Sequence, residues 1–176
     1  MMKRVSIFTV TALISMVGLT WLQGAFALEP ELEVKPWNPP LDAPIKLVNQ
    51  YRQPNSDYSA GHRGIDYLAI ENQRVLSPAD GQVSFVGLVV NRNLISIRHQ
   101  NGLQTEYEPV CSELKIGQPV SRGQQLGWLC QGKGNYDPHC DSADCLHFSL
   151  RKNGAYLSPL VQLGGMNPSR LLPFEN

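Results

Sequence analysis

The chain has 176 residues, of which 42% are hydrophobic and 17% charged, with 15 basic and 15 acidic side chains and a formal net charge of zero. That length suits one domain with a modest core. The balanced charge, without any cluster of lysines and arginines, excludes the electrostatic footprint of a nucleic-acid binder.

The chain opens with Lys3 and Arg4, followed by an uncharged apolar run from Val5 to Leu22 and the small-x-small triplet Ala25-Phe26-Ala27. This order is that of a cleavable export signal over residues 1–27. An uncleaved membrane anchor is the rival reading, because the run is nearly long enough to span a bilayer. Cleavage would place the mature chain in the cell envelope or outside the cell, with acids in slight excess. Residues 28–44 follow, punctuated by Pro30, Pro36, Pro39, Pro40 and Pro44. Proline fixes φ and removes amide donors, so this stretch is expected to be an extended tether or wrap outside the core, with Trp37 able to dock on the domain.

Residues 45–176 are expected to form the domain. Gln82 to Val86 alternates polar and apolar residues after an Asp80-Gly81 turn. Leu94 to Ile97 leads to Asn101-Gly102, a hairpin signal, and then to Leu103–Tyr107. Gly117, Gly123 and Gly127 space Val120 and Leu126 as in tightly turning strands. A polar loop, Tyr136 to Asp144, precedes a run from Cys145 to Leu150, which ends at a second hairpin signal, Asn153-Gly154. Only Pro159 to Leu163 reads as helical. The pattern predicts an all-β, compact antiparallel fold of sandwich or barrel type.

Four cysteines, Cys111, Cys130, Cys140 and Cys145, lie beyond the export signal. An even number in an exported chain reads as two disulfides with three possible connectivities. The preferred set is Cys140–Cys145, closing a tight loop, with Cys111–Cys130 joining two neighbouring strands.

Two elements could carry chemistry. His62-Arg63-Gly64-Ile65-Asp66 is a His-x-x-x-Asp spacing of two good zinc ligands, a pattern that is weak by itself. In Cys145-Leu146-His147 the outer residues share one face of a strand, which sends Leu146 and Phe148 to the core. A loop histidine beside a solvated acid, and an ordinary sheet histidine beside a disulfide half, are the bland alternatives. His99, beside Arg98 at a hairpin end, reads as a surface residue.

Several segments together resemble the lysostaphin/LytM-type zinc metallopeptidases, which cleave peptide bonds in bacterial peptidoglycan. Gly61-His62-Arg63-Gly64-Ile65-Asp66-Tyr67 is similar to the first metal motif of that family. Val75 to Val83 resembles its strand-turn-strand, and Ile116 to Gly127 its glycine-spaced turns. Cys145 to Arg151 resembles its final His-x-His strand and Tyr156 to Leu160 its C-terminal exit. The resemblance implies a compact antiparallel β-fold with a groove floored by the sheet. It also implies one zinc ion held by His62, Asp66 and His147, and metal-assisted peptide hydrolysis.

Both histidines that handle protons in that family are replaced. Cys145 stands for the first histidine of the His-x-His pair. The family's Tyr-x-His-Leu stretch corresponds to Tyr107-Glu108-Pro109-Val110, where Pro109 has no titratable group. This combination is similar to a variant of actinobacterial relatives. Substitutes for the missing pair are Glu108 as a base, Tyr107 as a donor to an oxyanion, and His139 in the polar loop. Each has a bland counterpart: a solvated acid, a packed phenol and an exposed loop imidazole. Two functions follow. One is a zinc endopeptidase acting on peptidoglycan crosslinks through an altered proton relay. The alternative is an inactive module that binds peptidoglycan or regulates another cell-wall hydrolase. A third possibility is a closed structural zinc site with Cys145 as fourth ligand, which a disulfide at Cys145 would preclude.

Overall fold

A computed structural model describes residues 36–131 and 144–164. The expected all-β, antiparallel architecture is what forms. Eleven strands run in chain order: β1 (Leu47–Asn49), β2 (Ile65–Leu68), β3 (Arg74–Leu76), β4 (Gly81–Val89), β5 (Arg92–Arg98), β6 (Leu103–Glu108), β7 (Val110–Cys111), β8 (Pro119–Val120), β9 (Gln125–Leu129), β10 (Cys145–Lys152) and β11 (Ala155–Leu157). The larger sheet has the order β1-β2-β10-β6-β5-β4-β8, with β11 also paired to β10, and the smaller has the order β3-β9-β7. Every pairing is antiparallel. Helix is confined, among the described residues, to short 3₁₀ turns at Gln100–Gly102 and Pro159–Val161.

The period-two rule for strands decides what is core and what is groove. Ile65, Tyr67, Ile95, Ile97, Tyr107, Leu146 and Phe148 leave one face of the larger sheet and meet Val75, Val110, Leu126 and Leu129 of the smaller sheet in a single buried cluster. The opposite face of the larger sheet carries the polar residues of the site. Both hairpin signals act as read: Asn101 and Gly102 take φ of 59° and 70°, and Asn153 and Gly154 take 50° and 89°. These are the left-handed conformations that a tight hairpin requires. A third hairpin tip, between β4 and β5, has no such signal, because Val90 occupies the left-handed region there at φ 59°.

The chain passes from β6 to β7, and so from the larger sheet to the smaller, at Glu108-Pro109. The Cys111–Cys130 disulfide then ties β7 to the end of β9, with its Cα atoms 5.7 Å apart. A Cβ on Gly127 of β9 would lie 2.1 Å from the Cys111 carbonyl oxygen, so only glycine lets these two backbones approach so closely.

Over its described part the proline-punctuated stretch wraps the domain with Trp37 docked, but it also enters the core, which was not expected. Trp37 N–H donates to Gln162 O at 2.8 Å, and Leu76 N–H donates to Pro40 O at 2.8 Å. Leu41 is only 3% exposed and belongs to the core cluster. A single apolar side chain between prolines gives no periodicity to read, yet the fixed φ of its neighbours makes ordering the strap cheap. Residues 1–27, assigned to the export signal, lie outside the described residues. No helix among the described residues is long and apolar enough to cross a membrane.

Candidate metal centre and groove

β10 is the strand on which the site is assembled. It lies between β2 and β6, so its residue His147 faces Asp66 on one side and Glu108 on the other. His62 stands just before β2, where an isolated bridge to Arg52 holds its backbone. A Cβ on Gly64 would lie 2.6 Å from both His147 Nε2 and Phe148 O, so the turn between His62 and Asp66 can lie against β10 only as glycine.

Three side-chain atoms converge there. His62 Nε2 is 3.2 Å from Asp66 Oδ1 and 3.2 Å from His147 Nδ1, and His147 Nδ1 is 2.7 Å from Asp66 Oδ1. Tetrahedral coordination with metal–ligand bonds of about 2.0–2.1 Å places ligands roughly 3.3 Å apart, which two of these separations match. The hydrogen-bond chemistry supports the same reading. His62 Nδ1–H donates to the Gln50 carbonyl at 2.8 Å. A neutral His62 therefore turns a lone pair toward an acceptor-only carboxylate oxygen and a second imidazole. Either a proton or a cation must sit among these atoms. The donor set, two imidazoles and a carboxylate, fits zinc.

The electrostatics follow from that crowding. The hydrogen bond to Asp66 raises the His62 pKa, against the opposing effect of burial and with help from the Gln50 carbonyl. Burial pushes Asp66 up, but hydrogen bonds with His147, His62 and Asn49 outweigh it and hold the carboxyl far below its usual range. Asn49 Nδ2 donates to Asp66 Oδ2 at 2.9 Å, leaving Oδ1 aimed at the histidines. Outer contacts of this kind, from Asn49 and Gln50, orient ligands and fix tautomers.

From this point a groove of about 680 Å³ runs over the sheet. Its floor is a ladder of cross-strand pairs on the face opposite the core: His147 with Glu108, Ser149 with Glu106, and Arg151 with Gln104. Phe85, Val89 and Leu94 form an apolar wall, and Arg63 and Tyr156 line it elsewhere. Arg92 Nη1 donates to Glu108 Oε1 at 3.0 Å, and Arg151 Nη1 donates to Glu106 Oε1 at 3.0 Å.

The candidate substitutes separate clearly. Glu108 lies in the groove beside His147. Tyr107 does not: it is fully buried in the core, its hydroxyl is bonded to Thr105 Oγ1 at 2.8 Å, and burial raises its pKa strongly. The reason is alternation, since a residue next to a groove-facing Glu108 must face the other way. His139 and Cys140 lie outside the described residues. Cys145 is disulfide-bonded, so it offers neither a thiolate ligand nor a base, and a closed site with Cys145 as fourth ligand is not formed. Pro109 marks the strand crossover, and its carbonyl accepts from Cys130 N–H at 3.3 Å.

His99 is not a surface residue. It is 7% exposed, packs against Trp37 with ring centroids 4.6 Å apart, and lies 2.9 Å from Asp80 O and 2.8 Å from Thr105 Oγ1. The strap described above covers it through Trp37, and although docking of Trp37 was expected, nothing local in the sequence marks His99 as its partner. Arg92, Glu106 and Arg151 were not singled out from the sequence. Glu106 and Arg151 could have been found by stepping two residues at a time from Glu108 and His147. Arg92 joins the site through a contact across strands that only the folded chain reveals.

Comparison with known proteins agrees with this geometry. Residues 60–159 match the sequence profile of Peptidase family M23. An uncharacterised protein of Mycobacterium tuberculosis (strain ATCC 25618 / H37Rv) is 36% identical over 141 residues, which cover 78% of this chain and 55% of that protein. The chain thus spans about half the length of that relative. The DD-carboxypeptidase/endopeptidase Mpg of Neisseria meningitidis serogroup B (strain ATCC 13091 / M2091) is 31% identical over 100 residues, covering 56% of this chain and 22% of Mpg. Among solved structures, a zinc-containing peptidase from Vibrio cholerae shares the fold with a TM-score of 0.59 at 21% identity, over 72% of this chain and 40% of that one. A profile match that takes in the His62–Asp66 turn and the His147 strand alike leaves one assignment: the chain belongs to Peptidase family M23.

Proposed function

We propose that this protein is an exported zinc endopeptidase of the bacterial cell envelope that hydrolyses peptide crosslinks of peptidoglycan, with Glu108 in place of the family's proton-handling histidines. The observation that carries the reading is the convergence of His62 Nε2, Asp66 Oδ1 and His147 Nδ1, none more than 3.2 Å from another, beside an open groove. Export rests on the order of basic, apolar and small residues in positions 1–27. The cell-wall substrate rests on the family and on a relative described as a DD-carboxypeptidase/endopeptidase.

Zinc bound at these three residues would polarise the scissile carbonyl and acidify water. The chain's own groups do the rest. The groove lies over β10 and β6, along which an extended peptide would run. Glu108, directly across from His147, takes the proton that water loses as its oxygen adds to the carbonyl carbon. The same carboxyl returns that proton to the leaving nitrogen as the carbon–nitrogen bond breaks.

The test uses the purified, zinc-loaded protein with crosslinked peptidoglycan, and mass spectrometry of the fragments. New free amines are expected, absent with His147→Ala. Glu108→Gln is expected to lower kcat by about a hundred- to ten-thousandfold while zinc remains bound. A folded, zinc-loaded wild type that yields no fragments would overturn the peptidase reading. Retention of that protein on insoluble cell wall would then leave a binding module in its place.

A further inference from the structure

We infer that Arg92 is a catalytic residue of this site, supplying the cationic hydrogen-bond donor for the negative charge that builds on the scissile carbonyl oxygen. The inference rests on the peptidase reading above and deepens it. Peptide hydrolysis of this type needs two services from the protein. A group must accept the proton of water, and a donor must meet the carbonyl oxygen as its π pair withdraws onto it. When the carbon–nitrogen bond breaks, that pair re-forms the carbonyl and the donor is released.

The second service has few candidates here. Tyr107 is buried in the core, Pro109 has no donor, and Cys145 is held in a disulfide. His99 is enclosed beneath Trp37 on the core side. Three guanidinium groups remain among the described residues lining the groove: Arg63, Arg92 and Arg151. Arg151 lies four residues along β10 from His147, about 13 Å at strand rise, and it is bound to Glu106. Arg63 donates to the carbonyls of Asp57 and Ser59, 2.6 and 3.2 Å away, which turns it toward the surface turn.

Arg92 is placed differently. Its Nη1 is 3.0 Å from Oε1 of Glu108, whose Cα is the register partner of His147. Such partners have Cα atoms about 4.5–5.5 Å apart, so the guanidinium stands one carboxylate away from a metal-ligating residue. The Arg92 side chain is 27% exposed, open to the groove but held. Its backbone is also anchored, because the neighbouring Asn93 Nδ2 lies 3.4 Å from both sulfurs of the Cys111–Cys130 disulfide. A guanidinium is planar and carries five donors, so one bond to a carboxylate orients it and uses a single donor, whereas a lysine ammonium is a point charge without that plane. Arg92 and Glu108 thus form one unit that divides the lost histidines' two roles between a cation and a carboxylate.

The experiment compares two ligands on the zinc-loaded full chain: a crosslinked muropeptide and its phosphinate isostere, which carries tetrahedral geometry and negative charge at the scissile position. Dissociation constants are measured by calorimetry for wild type, Arg92→Gln and Arg92→Lys, with muropeptide affinity read before turnover at low temperature. Arg92→Gln is expected to weaken phosphinate binding by about a hundred- to a thousandfold, with less than about a threefold change for the muropeptide and one zinc per chain retained. Arg92→Lys, which keeps the charge but not the fork, is expected to fall between the two and to serve if the glutamine variant misfolds. Equal weakening of both ligands, or of neither, would overturn the inference. Wild type that cleaves the muropeptide while Arg92→Gln keeps full kcat would refute Arg92 alone. Wild type that cleaves nothing would refute the peptidase reading, and this inference with it.

Discussion

Gly64 shows how much of the site depends on a missing side chain. A Cβ there would meet both a ring atom of His147 and the carbonyl oxygen of Phe148. The carbonyl belongs to β10 and is held in a ladder with β2 and β6, so it cannot yield cheaply. Gly64→Ala is therefore expected to push the His62–Asp66 turn off β10 and to weaken zinc binding by at least about tenfold, a cost of about 1.4 kcal/mol. Competition with a chelating dye measures this directly. An unchanged affinity would show that the turn can move without carrying His62 with it.

A second residue-scale argument concerns His99. Burial lowers its pKa, against the raising effects of the Asp80 carbonyl and carboxylate. The neutral ring satisfies a closed chain: Tyr107 O–H donates to Thr105, Thr105 O–H donates to Nε2, and Nδ1–H donates to the Asp80 carbonyl. Protonation would make both ring nitrogens donors and break that order. The unfolded chain binds the proton near pH 6.5 while the folded chain resists it, so this contribution is present above that pH and is lost as pH falls through it. The melting temperature should therefore drop more steeply between pH 7.5 and 5 in wild type than in His99→Gln, although the variant melts lower throughout. Parallel slopes would mean that His99 titrates alike in both states.

At the scale of elements, the Cys111–Cys130 bridge spans 19 residues and holds β7 to β9 beneath the wall that carries Asn93 and Arg92. Closing a loop of that length removes about 3 kcal/mol of unfolded-state entropy in the chain-entropy account. Replacing both cysteines by alanine should lower the unfolding free energy by about 2–4 kcal/mol in urea titrations. It should also loosen Arg92 without changing zinc content. No loss of stability would place the bridge's role elsewhere. The elements themselves were largely readable. Asn101-Gly102 and Asn153-Gly154 announced their hairpins because only a few residue types tolerate left-handed backbone, whereas Tyr107 and Glu108 both stood as candidates until the fold put Tyr107 in the core and Glu108 in the groove. The β4–β5 tip was not readable, because Val90 adopts a conformation that its own side chain disfavours. The burial of Leu41 and of His99 is not legible for a shared reason: each depends on contacts between residues far apart in the chain, which leave no local pattern.

For the molecule as a whole, metal binding and folding should be one equilibrium. His62 and Asp66 precede His147 by 85 and 81 residues, so the unfolded chain offers no such set of ligands. An ion that binds the folded state alone stabilises it by about 4 kcal/mol at a thousandfold excess over Kd. In a domain of this size that corresponds to a rise in Tm of roughly 10 °C. Calorimetry of chelator-treated protein, before and after zinc is restored, should show that rise. Magnesium should not reproduce it, because two imidazoles are poor ligands for a hard cation. Asp66→Asn should abolish the zinc response while leaving a folded protein, since Asn49 and both histidines can still bond to the amide. A melting curve indifferent to zinc would mean that the three residues hold a proton between them, with Asp66 as its counter-ion, and that the groove serves a chemistry other than metal-assisted hydrolysis.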